Sequence, residues 1–245
     1  MPVKYLKHII VIVLFVISQH VFVSAQQINY RIDKVSIDDG LSNNSVHSII
    51  QDHQGFMWFG TESGLNRYDG NNFKAYYNKA NDINSLSANS VKNILKELNG
   101  SLWIITSSGQ INSFNLEFND ITRHTFVDKS SSLITSEKTA QIDKDNRLWF
   151  SCQNEGLYSV NLNTNELKTY NHNKSDKNTL SSNNIRSLFI DKDDNIWLGT
   201  EEGIVNKFDK KTQKFIHYSF KGINDSKDNH PIIWKIFEDY TGLLW

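Results

Sequence analysis

The chain has 245 residues, of which 38% are hydrophobic and 12% aromatic, so it is long enough and apolar enough to bury a substantial core. Its 26 Lys and Arg residues nearly balance its 27 Asp and Glu residues, without a basic or acidic block, which argues against a nucleic-acid-binding protein. The same composition excludes an intrinsically disordered chain.

The first 25 residues differ from the rest of the chain and predict a secretory signal peptide. Two early lysines precede an apolar stretch at residues 9–17, and residues 23–25 are small enough for a cleavage site before Gln26. An uncleaved membrane anchor is the alternative, but Gln19 and His20 interrupt the stretch before it reaches the roughly 20 residues that span hydrocarbon. We therefore expect residues 1–25 to be removed and the mature chain to be exported to the periplasm.

A tryptophan repeat organises the remainder of the chain. Five of the six tryptophans follow one another at intervals of 45, 46, 48 and 48 residues, which are spacings typical of propeller blades: Trp58, Trp103, Trp149, Trp197 and Trp245. The sixth, Trp234, lies outside this register.

Two further positions repeat with the tryptophan. An acid stands six residues before it and Gly, Asn or Asp stands three residues before it: Asp52, Glu97, Asp143, Asp191 and Asp239, then Gly55, Gly100, Asn146, Asp194 and Gly242. The acid can accept backbone N–H bonds at the start of a hairpin turn, and the later residue is of a type that adopts positive φ. The pattern predicts a tight hairpin before each tryptophan strand.

Each repeat contains four short strand patterns separated by turns, and the mature chain shows no sustained helical periodicity. The predicted fold is all-β, a β-propeller of four-stranded antiparallel blades. The blades are predicted at residues 41–85, 86–132, 133–179 and 180–228, and the first two strands of a fifth at residues 229–245. The third repeat has one more residue between Trp149 and Gly156, so we expect a bulge or a longer turn there.

The segment at residues 26–40 resembles a spare outer strand. Residues 28–37 lead into Leu41 much as later fourth strands lead into Leu86 and Leu180. Such a strand can close the last blade of a propeller, and we expect that role here. Since residues 229–245 supply only two strands of a blade, we also expect this chain of about four and a half blades to be a fragment of a longer protein.

Three motifs of the first repeat resemble the two-component regulator propeller family: GLSNNSV at residues 40–46, DHQGFMWFGT at 52–61 and GLNRYD at 64–69. The resemblance covers residues 28–245 and is strongest in the first and fourth repeats. The second repeat has Ile105 and Thr106 where the motif has Gly-Thr, and the third has Ser151 and Cys152.

The resemblance implies the periplasmic sensor region of a membrane protein, often a hybrid histidine kinase of Bacteroidetes that responds to glycan fragments. Its partners would be a small ligand, such as an oligosaccharide, and the rest of the same polypeptide with its membrane helix and kinase. A homodimer is left open. No cofactor is implied.

Other chemistry is weakly supported by the residues. The repeating tryptophans could stack on sugars, but a residue at one position in every blade is better explained by packing between blades. Residues 143–146 and 191–195 resemble the start of a calcium loop, yet they lack its distal glutamate and are explained by the hairpin turn. The histidines lack metal-ligand spacing, and we expect Cys152 to be a buried thiol. We expect no metal site and no catalytic residue.

The candidate ligand-binding residues lie in the loops that join the fourth strand to the next blade and the second strand to the third. These loops gather on one face of a propeller, around its channel. Their amide and carboxylate side chains suit carbohydrate hydroxyls but are also ordinary turn residues. The candidates are Asn43, Asn44, Glu62, Asn89, Asn183, Asn184, Glu201 and Glu202.

Three functions are consistent with these observations. The first is a ligand-sensing periplasmic domain of a sensor histidine kinase. The second is an exported propeller enzyme, such as a lyase, which would need a catalytic cluster on the channel face. The third is a passive scaffold for protein partners.

Overall fold

Four antiparallel sheets of four strands each form the body of the chain in the computed structural model, which describes residues 33–126, 140–152, 154–219 and 231–245. The first two sheets contain β1 Val46–Gln51, β2 Met57–Thr61, β3 Gly64–Tyr68, β4 Phe73–Tyr76, β5 Val91–Lys96, β6 Leu102–Thr106, β7 Ile111–Asn115 and β8 Asp120–His124. The next two contain β9 Ala140–Ile142, β10 Arg147–Cys152, β11 Gly156–Asn161, β12 Leu167–Tyr170, β13 Ile185–Ile190, β14 Ile196–Thr200, β15 Ile204–Asp209 and β16 Lys214–Ser219. Each sheet pairs its strands in sequence order, which confirms the all-β fold of four-stranded blades.

The first strand of each blade is its innermost strand. β1 contacts β5, β5 contacts β9, and β9 contacts β13, whereas the fourth strands do not meet one another in this way. Side chains link these inner strands directly, since Ser48 Oγ accepts the Ile94 N–H at 3.1 Å and Gln141 Oε1 accepts the Ile190 N–H at 2.6 Å. The inner strands therefore follow one another around the propeller axis.

The apolar core lies between blades rather than within one sheet. One cluster joins Trp58 and Leu65 of the first blade to Ile94, Ile104 and other residues of the second. Equivalent clusters join the second blade to the third and the third to the fourth. Because each blade buries its apolar face against the next, no blade is expected to be stable alone.

Contacts divide the chain into two units, Met1–Lys34 and Val35–Trp245. Of the first unit only residues 33 and 34 are described, and they have no regular secondary structure. The predicted signal peptide lies outside the described residues. In the part of the chain that the structure describes, no helix is long and apolar enough to cross a membrane.

The strand predicted over residues 28–37 has no strand partner in its described part, and its role in closing a last blade stays a prediction. Residues 33–36 form no strand, and Ile37–Asp39 form a 3-10 turn. The Ser36 side chain caps this turn by accepting the Asp38 N–H at 3.3 Å, while Asp39 Oδ2 accepts the Ser36 N–H at 2.8 Å. These local hydrogen bonds take the place of pairing with a neighbouring strand.

The first strand predicted for the fifth blade, residues 233–237, is also wrong. The hairpin after it does form, with Phe237 and Trp245 exchanging backbone hydrogen bonds at 3.1 and 2.8 Å. In the first blade Ile50 pairs with Trp58, which is the same relation. The described residues before Phe237 have no partner strand.

The bulge expected in the third repeat is absent. β10 and β11 pair without a register shift, and Trp149 lies opposite Ser159, ten residues later. Trp103 and Trp197 also pair with residues ten positions later, whereas Trp58 pairs with Arg67, nine positions later. The extra residue makes Gly156 the first residue of β11, whereas Gly109 and Gly203 lie in their turns, and it leaves the strands in the common register.

Candidate ligand-binding site

A carboxylate clamp fixes four of the five hairpins before the repeat tryptophans. In the remaining one, Glu97 bonds to the Trp103 indole, while Asn99 Oδ1 accepts the turn N–H of Ser101. In the first blade Asp52 Oδ1 accepts the N–H groups of Gln54 and Phe56 at 2.9 and 3.0 Å, and Oδ2 accepts the Trp58 indole N–H at 2.7 Å. The same acid-to-indole bond occurs in all five repeats, at 2.7–2.9 Å. The backbone bonds were predicted from the sequence, but the indole bond was not.

The turn residues adopt the conformation that the sequence predicts. The φ angles at the position three residues before each tryptophan are 92°, 93°, 56°, 68° and 90° for Gly55, Gly100, Asn146, Asp194 and Gly242. These values lie in the left-handed region, where Gly, Asn and Asp are tolerated. The clamp and the turn together fix where each inner strand ends.

The repeat tryptophans pack between blades and are not available to a ligand at three of the five positions. Trp58, Trp103 and Trp149 are 1%, 5% and 1% exposed, and each belongs to the core cluster shared with the following blade. This confirms the packing interpretation at these three positions.

A buried polar latch holds the loop that enters the first, second and fourth blades. Asn66 is fully buried, and its Oδ1 accepts the Ser42 N–H at 2.9 Å while its Nδ2 donates to Ser42 Oγ at 2.8 Å. Ser87 with Asn112 and Ser181 with Asn206 repeat this pair of bonds. The entering loops of these three blades are thus tied to the sheet from within.

The two kinds of loop named in the prediction lie side by side. A backbone hydrogen bond joins the turn between the second and third strands to the loop that enters the same blade. The Glu62 N–H donates to the Ser45 carbonyl at 3.0 Å, and the Glu201 N–H donates to the Asn184 carbonyl at 3.1 Å. Ser107 and Ser90 make the same bond at 2.8 Å. In the first, second and fourth blades these loops therefore lie together at the start of the inner strand.

Several candidate side chains already hold the loops in shape. Asn43 Oδ1 accepts the Ser45 N–H at 2.7 Å, Asn89 Oδ1 accepts the Asn78 N–H at 2.6 Å, and Asn183 Oδ1 accepts the His172 N–H at 2.7 Å. Asn44 Oδ1 accepts the Ile37 N–H at 3.0 Å, and Glu202 accepts from Ser182 Oγ at 2.7 Å. Their first role is to shape the loops, although the amide donors of Asn44, Asn89 and Asn183 still face the loop surface without a described acceptor.

The structure adds a row of side chains that the sequence interpretation missed. The first strand of three blades has a register irregularity at its second residue, which is His47 in β1, Lys92 in β5 and Arg186 in β13. Trp234 occupies the equivalent position, eleven residues before Trp245. We call these four residues the inner-strand row. At the three bulged positions the irregularity redirects the side chain, so it places long polar groups at the start of the inner strands. Trp234 lies in no strand and joins the row through its contact with Arg186.

Glu62 joins the row between the first two blades. Its Oε2 lies 2.8 Å from His47 Nε2, and it accepts from Ser90 Oγ and Lys92 Nζ, both at 2.9 Å. The hydrogen bond with His47, followed by those with Lys92 and Ser90, lowers the pKa of Glu62 to about 2. One carboxylate thus ties two inner strands together across the edge.

Arg186, Glu201 and Trp234 form the other end of the row. The Arg186 guanidinium donates to Glu201 Oε1 and lies 5.8 Å from the centre of the Trp234 ring. Trp234 is 62% exposed, which is unusual for a large aromatic side chain that has a polar neighbour on one face. An open aromatic face beside a guanidinium and a carboxylate suits a ligand with both a flat apolar side and hydroxyl groups.

Three carboxylates elsewhere could suggest a metal, but a lysine occupies the space between them. Asp143, Asp145 and Asp194 place oxygens within 4.8 Å of one another. Lys210 Nζ donates to Asp143 at 2.7 Å, to Asp145 at 3.2 Å and to Asp194. Burial lowers the pKa of Lys210, but the bonds to Asp143 and Asp194 outweigh it and raise the pKa overall. The calcium-like segments therefore form an ion-pair network.

Cys152 is the last residue of β10 and is 3% exposed. Burial, with a smaller effect of the Glu155 charge, raises the pKa of its thiol to about 12. A buried thiol of this kind is a packing group rather than a nucleophile.

Replacing Glu62 with glutamine should reduce stability at neutral pH but not in acid. Because the pKa is about 2 in the fold and 4.5 ordinarily, the charged carboxylate stabilises the fold above pH 4.5, and this stabilisation disappears as the pH falls toward 2. The side chain is half exposed, so we expect an effect of at most about 1 kcal/mol. Urea unfolding at a series of pH values should show that the difference in unfolding free energy between E62Q and the natural sequence shrinks as the pH falls from 4.5 toward 2. E202Q is the matched control, and an E62Q gap independent of pH would contradict the assignment.

Comparison with known proteins identifies the repeat. The model of the two component regulator propeller matches residues 40–63 and 179–202. Those residues are two-component regulator propeller repeats. Both segments run from the entering loop, through the inner strand and the clamp, to the turn after the tryptophan strand, so they contain Glu62, Asn183 and Glu201. The family resemblance predicted from the sequence is confirmed.

A curated relative and two solved structures extend the comparison. Over 61 residues, the chain is 44% identical to Histidine kinase P4 of Formosa agariphila, covering 25% of this chain and 4% of that protein. It matches the extracellular domain of a hybrid two component system from Bacteroides thetaiotaomicron with a TM-score of 0.67 and 23% identity, over 89% of this chain and 30% of that domain. Virginiamycin B lyase from Staphylococcus aureus matches with a TM-score of 0.59 and 12% identity, over 82% and 62% of the two chains. At these identities the two structures show the fold alone.

Proposed function

We propose that this two-component regulator propeller chain is the ligand-sensing part of an exported sensor whose ligand is an oligosaccharide. The observation that carries the proposal is the inner-strand row, in which an exposed tryptophan lies beside Arg186 and Glu201 at the edge formed by the blade-entering loops. The likeness to extracellular domains of two-component systems supports export and a sensing role.

The ligand would bind across the inner strands of several blades. Trp234 would stack on the apolar face of a sugar ring, while Glu201 and Arg186 would bond to hydroxyls on its edge. Glu62 and Lys92 would extend the same surface to the first two blades. We expect the amides of Asn44, Asn89, Asn183 and Asn184 to contribute donors from the loops.

Signalling would follow from the position of the ligand. A ligand that contacts several inner strands binds most tightly when the blades are packed together. Its binding therefore shifts the domain toward this packed state. We propose that the rest of the same polypeptide, with a membrane helix and a histidine kinase, reads this shift. The chain spans only a small part of its kinase relative, and the kinase is a proposal for the longer protein.

Replacing Trp234 with alanine should weaken oligosaccharide binding about tenfold or more, because a tryptophan at the centre of a binding surface commonly contributes over 1 kcal/mol. The measurement is calorimetric titration of the 245-residue chain with cello-, xylo-, manno- and alginate oligosaccharides. Tyr240→Ala is the matched control, since Tyr240 is a 99% exposed aromatic residue in the hairpin turn of the same repeat, away from the row. The proposed site would be contradicted if both variants lost the same affinity for the oligosaccharide, or if neither lost any.

A further inference from the structure

The ring that packs on the repeat tryptophan is a tyrosine in three blades and a histidine in the second. Tyr76, Tyr170 and Tyr218 have ring centres 5.8, 5.7 and 5.8 Å from the tryptophan of their own blade. In the second blade the ring centre of His124 lies 4.7 Å from that of Trp103. All four residues occupy the same place in the fourth strand, because each pairs with an apolar residue near the start of the third strand: Leu65, Ile111, Leu157 and Val205.

Two of the tyrosines also bond to the next blade. The Tyr76 hydroxyl donates to Asn119 Oδ1 of the second blade at 2.9 Å, and the Tyr170 hydroxyl donates to Gln213 Oε1 of the fourth blade at 3.0 Å. His124 Nε2 instead lies 2.8 Å from the Ser113 hydroxyl of its own blade. In this respect the junction between the second and third blades differs from the junctions on both sides of it.

His124 lies in the aromatic part of this junction. Its ring stacks on that of Phe126, with the ring centres 5.3 Å apart and the planes 7° from parallel. Phe126 packs in turn against the core cluster that joins the second blade to the third. Because the imidazole is half-buried between two aromatic rings, it loses water that would solvate its charged form.

The third blade brings two neutral ionisable groups to this junction, Cys152 and Tyr158, which both belong to the shared core cluster. Burial raises the pKa of both groups. Glu155 accepts the Tyr158 hydroxyl at 2.9 Å, which raises the pKa of Tyr158 further. Neither group therefore changes its charge between pH 5 and 8.

The charged side chains of the surrounding strands are directed elsewhere. On β8, Asp120 is exposed at the start of the strand, and Arg123 donates to carbonyls of the loop at residues 82–86. β6 and β7 contain no ionisable side chain. On β10, Arg147 pairs with an acid of its own blade at 3.5 Å. Burial is accordingly the cause that lowers the pKa of His124 below 6.5.

We propose that the junction between the second and third blades is pH-sensitive and loosens when His124 takes up a proton. In the opened or unfolded state the imidazole is hydrated, so it binds the proton at a higher pH than it does in the packed state. The stabilisation that neutral His124 gives is therefore complete above about pH 6.5, and it is lost as the pH falls from there through the lowered pKa.

This junction lies between the two ends of the inner-strand row. Glu62 and Lys92 belong to the first two blades, whereas Arg186 and Glu201 belong to the fourth. Loosening the junction would let the two ends of the row move relative to each other. Only this consequence rests on the proposed function, since the pH sensitivity itself needs no ligand.

Thermal unfolding of the 245-residue chain between pH 7.5 and 5 tests the proposal. H124Y supplies the side chain that the other three blades have, and it takes up no proton in this range. As the pH falls, the melting temperature of the natural sequence should drop by at least about 2 °C more than that of H124Y. H217Y is the matched control, since His217 is an exposed histidine in the fourth strand of the fourth blade, and it should behave as the natural sequence does. H124F gives the same comparison if H124Y does not fold. Equal drops for the natural sequence and the His124 variant would overturn the proposal.

Hydrogen–deuterium exchange locates the effect on the molecule. At pH 5 the natural sequence should exchange at least about threefold faster than H124Y in residues 102–115 and 147–152, which flank the junction, and this ratio should shrink at pH 7.5. The ratio should stay near one in residues 57–68 of the first blade. A difference spread evenly over all blades, or none at the junction at pH 5, would overturn the proposal. A pKa of His124 at or above 6.5, measured by NMR, would overturn it as well.

Discussion

Replacing Asp143 with alanine should lower the free energy of unfolding by about 3–5 kcal/mol. Asp143 is 2% exposed and accepts from the Trp149 indole at 2.8 Å, from the N–H groups of Asp145 and Arg147 at 3.0 and 2.9 Å, and from Lys210 Nζ at 2.7 Å. Alanine would leave a buried indole N–H, two turn N–H groups and an ammonium without this acceptor. Urea unfolding measures the loss.

Asp145→Ala is the matched control. Asp145 belongs to the same ion-pair network but has a side chain that is 68% exposed, and its carboxylate contacts only Lys210 among the described residues. We expect it to change stability by less than about 1 kcal/mol. The loss of unfolding free energy for D143N should lie between those for D143A and D145A. The amide oxygen of Asn can still accept the turn N–H groups, but its NH₂ group faces the indole donor. Similar losses for D143A and D145A would contradict the clamp.

Replacing Trp149 with alanine should cost about 3–5 kcal/mol, the usual range for a large buried aromatic side chain. Trp149 is 1% exposed, and its ring stacks with Tyr170 at 5.7 Å and contacts Phe208 of the next blade at 5.3 Å. Alanine would open a void at the junction of the third and fourth blades and would also leave Asp143 without its indole donor. The measurement is again urea unfolding.

Trp245→Ala is the control for this position. Trp245 holds the same place in its repeat and the same bond to its acid, at 2.9 Å, but it is 64% exposed. We expect it to cost about 1 kcal/mol or less, since little apolar surface is buried there. If W245A were as destabilising as W149A, packing between blades could not explain the repeated spacing of the tryptophans.

The blades could be predicted from the sequence, but the inner-strand row could not. The clamp acid, the turn residue and the tryptophan are fixed by local geometry, so their spacing repeats and predicts the strands. The capped turn at Ile37–Asp39 and the unpaired residues before Phe237 were missed because a strand needs a partner as well as a suitable composition.

The inner-strand row was missed for a different reason. Its residues differ in type, and the bulge that redirects His47, Lys92 and Arg186 cannot be recognised from composition. A signal was present, however, since His47, Lys92, Arg186 and Trp234 all stand eleven residues before a repeat tryptophan. The predicted loop amides and carboxylates do lie along the same edge, but Glu62 and Glu201 join the row only through partners on the strands.

Hydrogen–deuterium exchange tests the proposed sensing face most directly. The 245-residue chain would be measured with and without a saturating oligosaccharide from the calorimetric panel. The account predicts slower exchange at the loop edge, in residues 41–48, 62–65, 183–187 and 201–204, and unchanged exchange in the hairpin turns at residues 52–56 and 191–195. Protection confined to the hairpin turns, or no protection by any oligosaccharide of the panel, would contradict it.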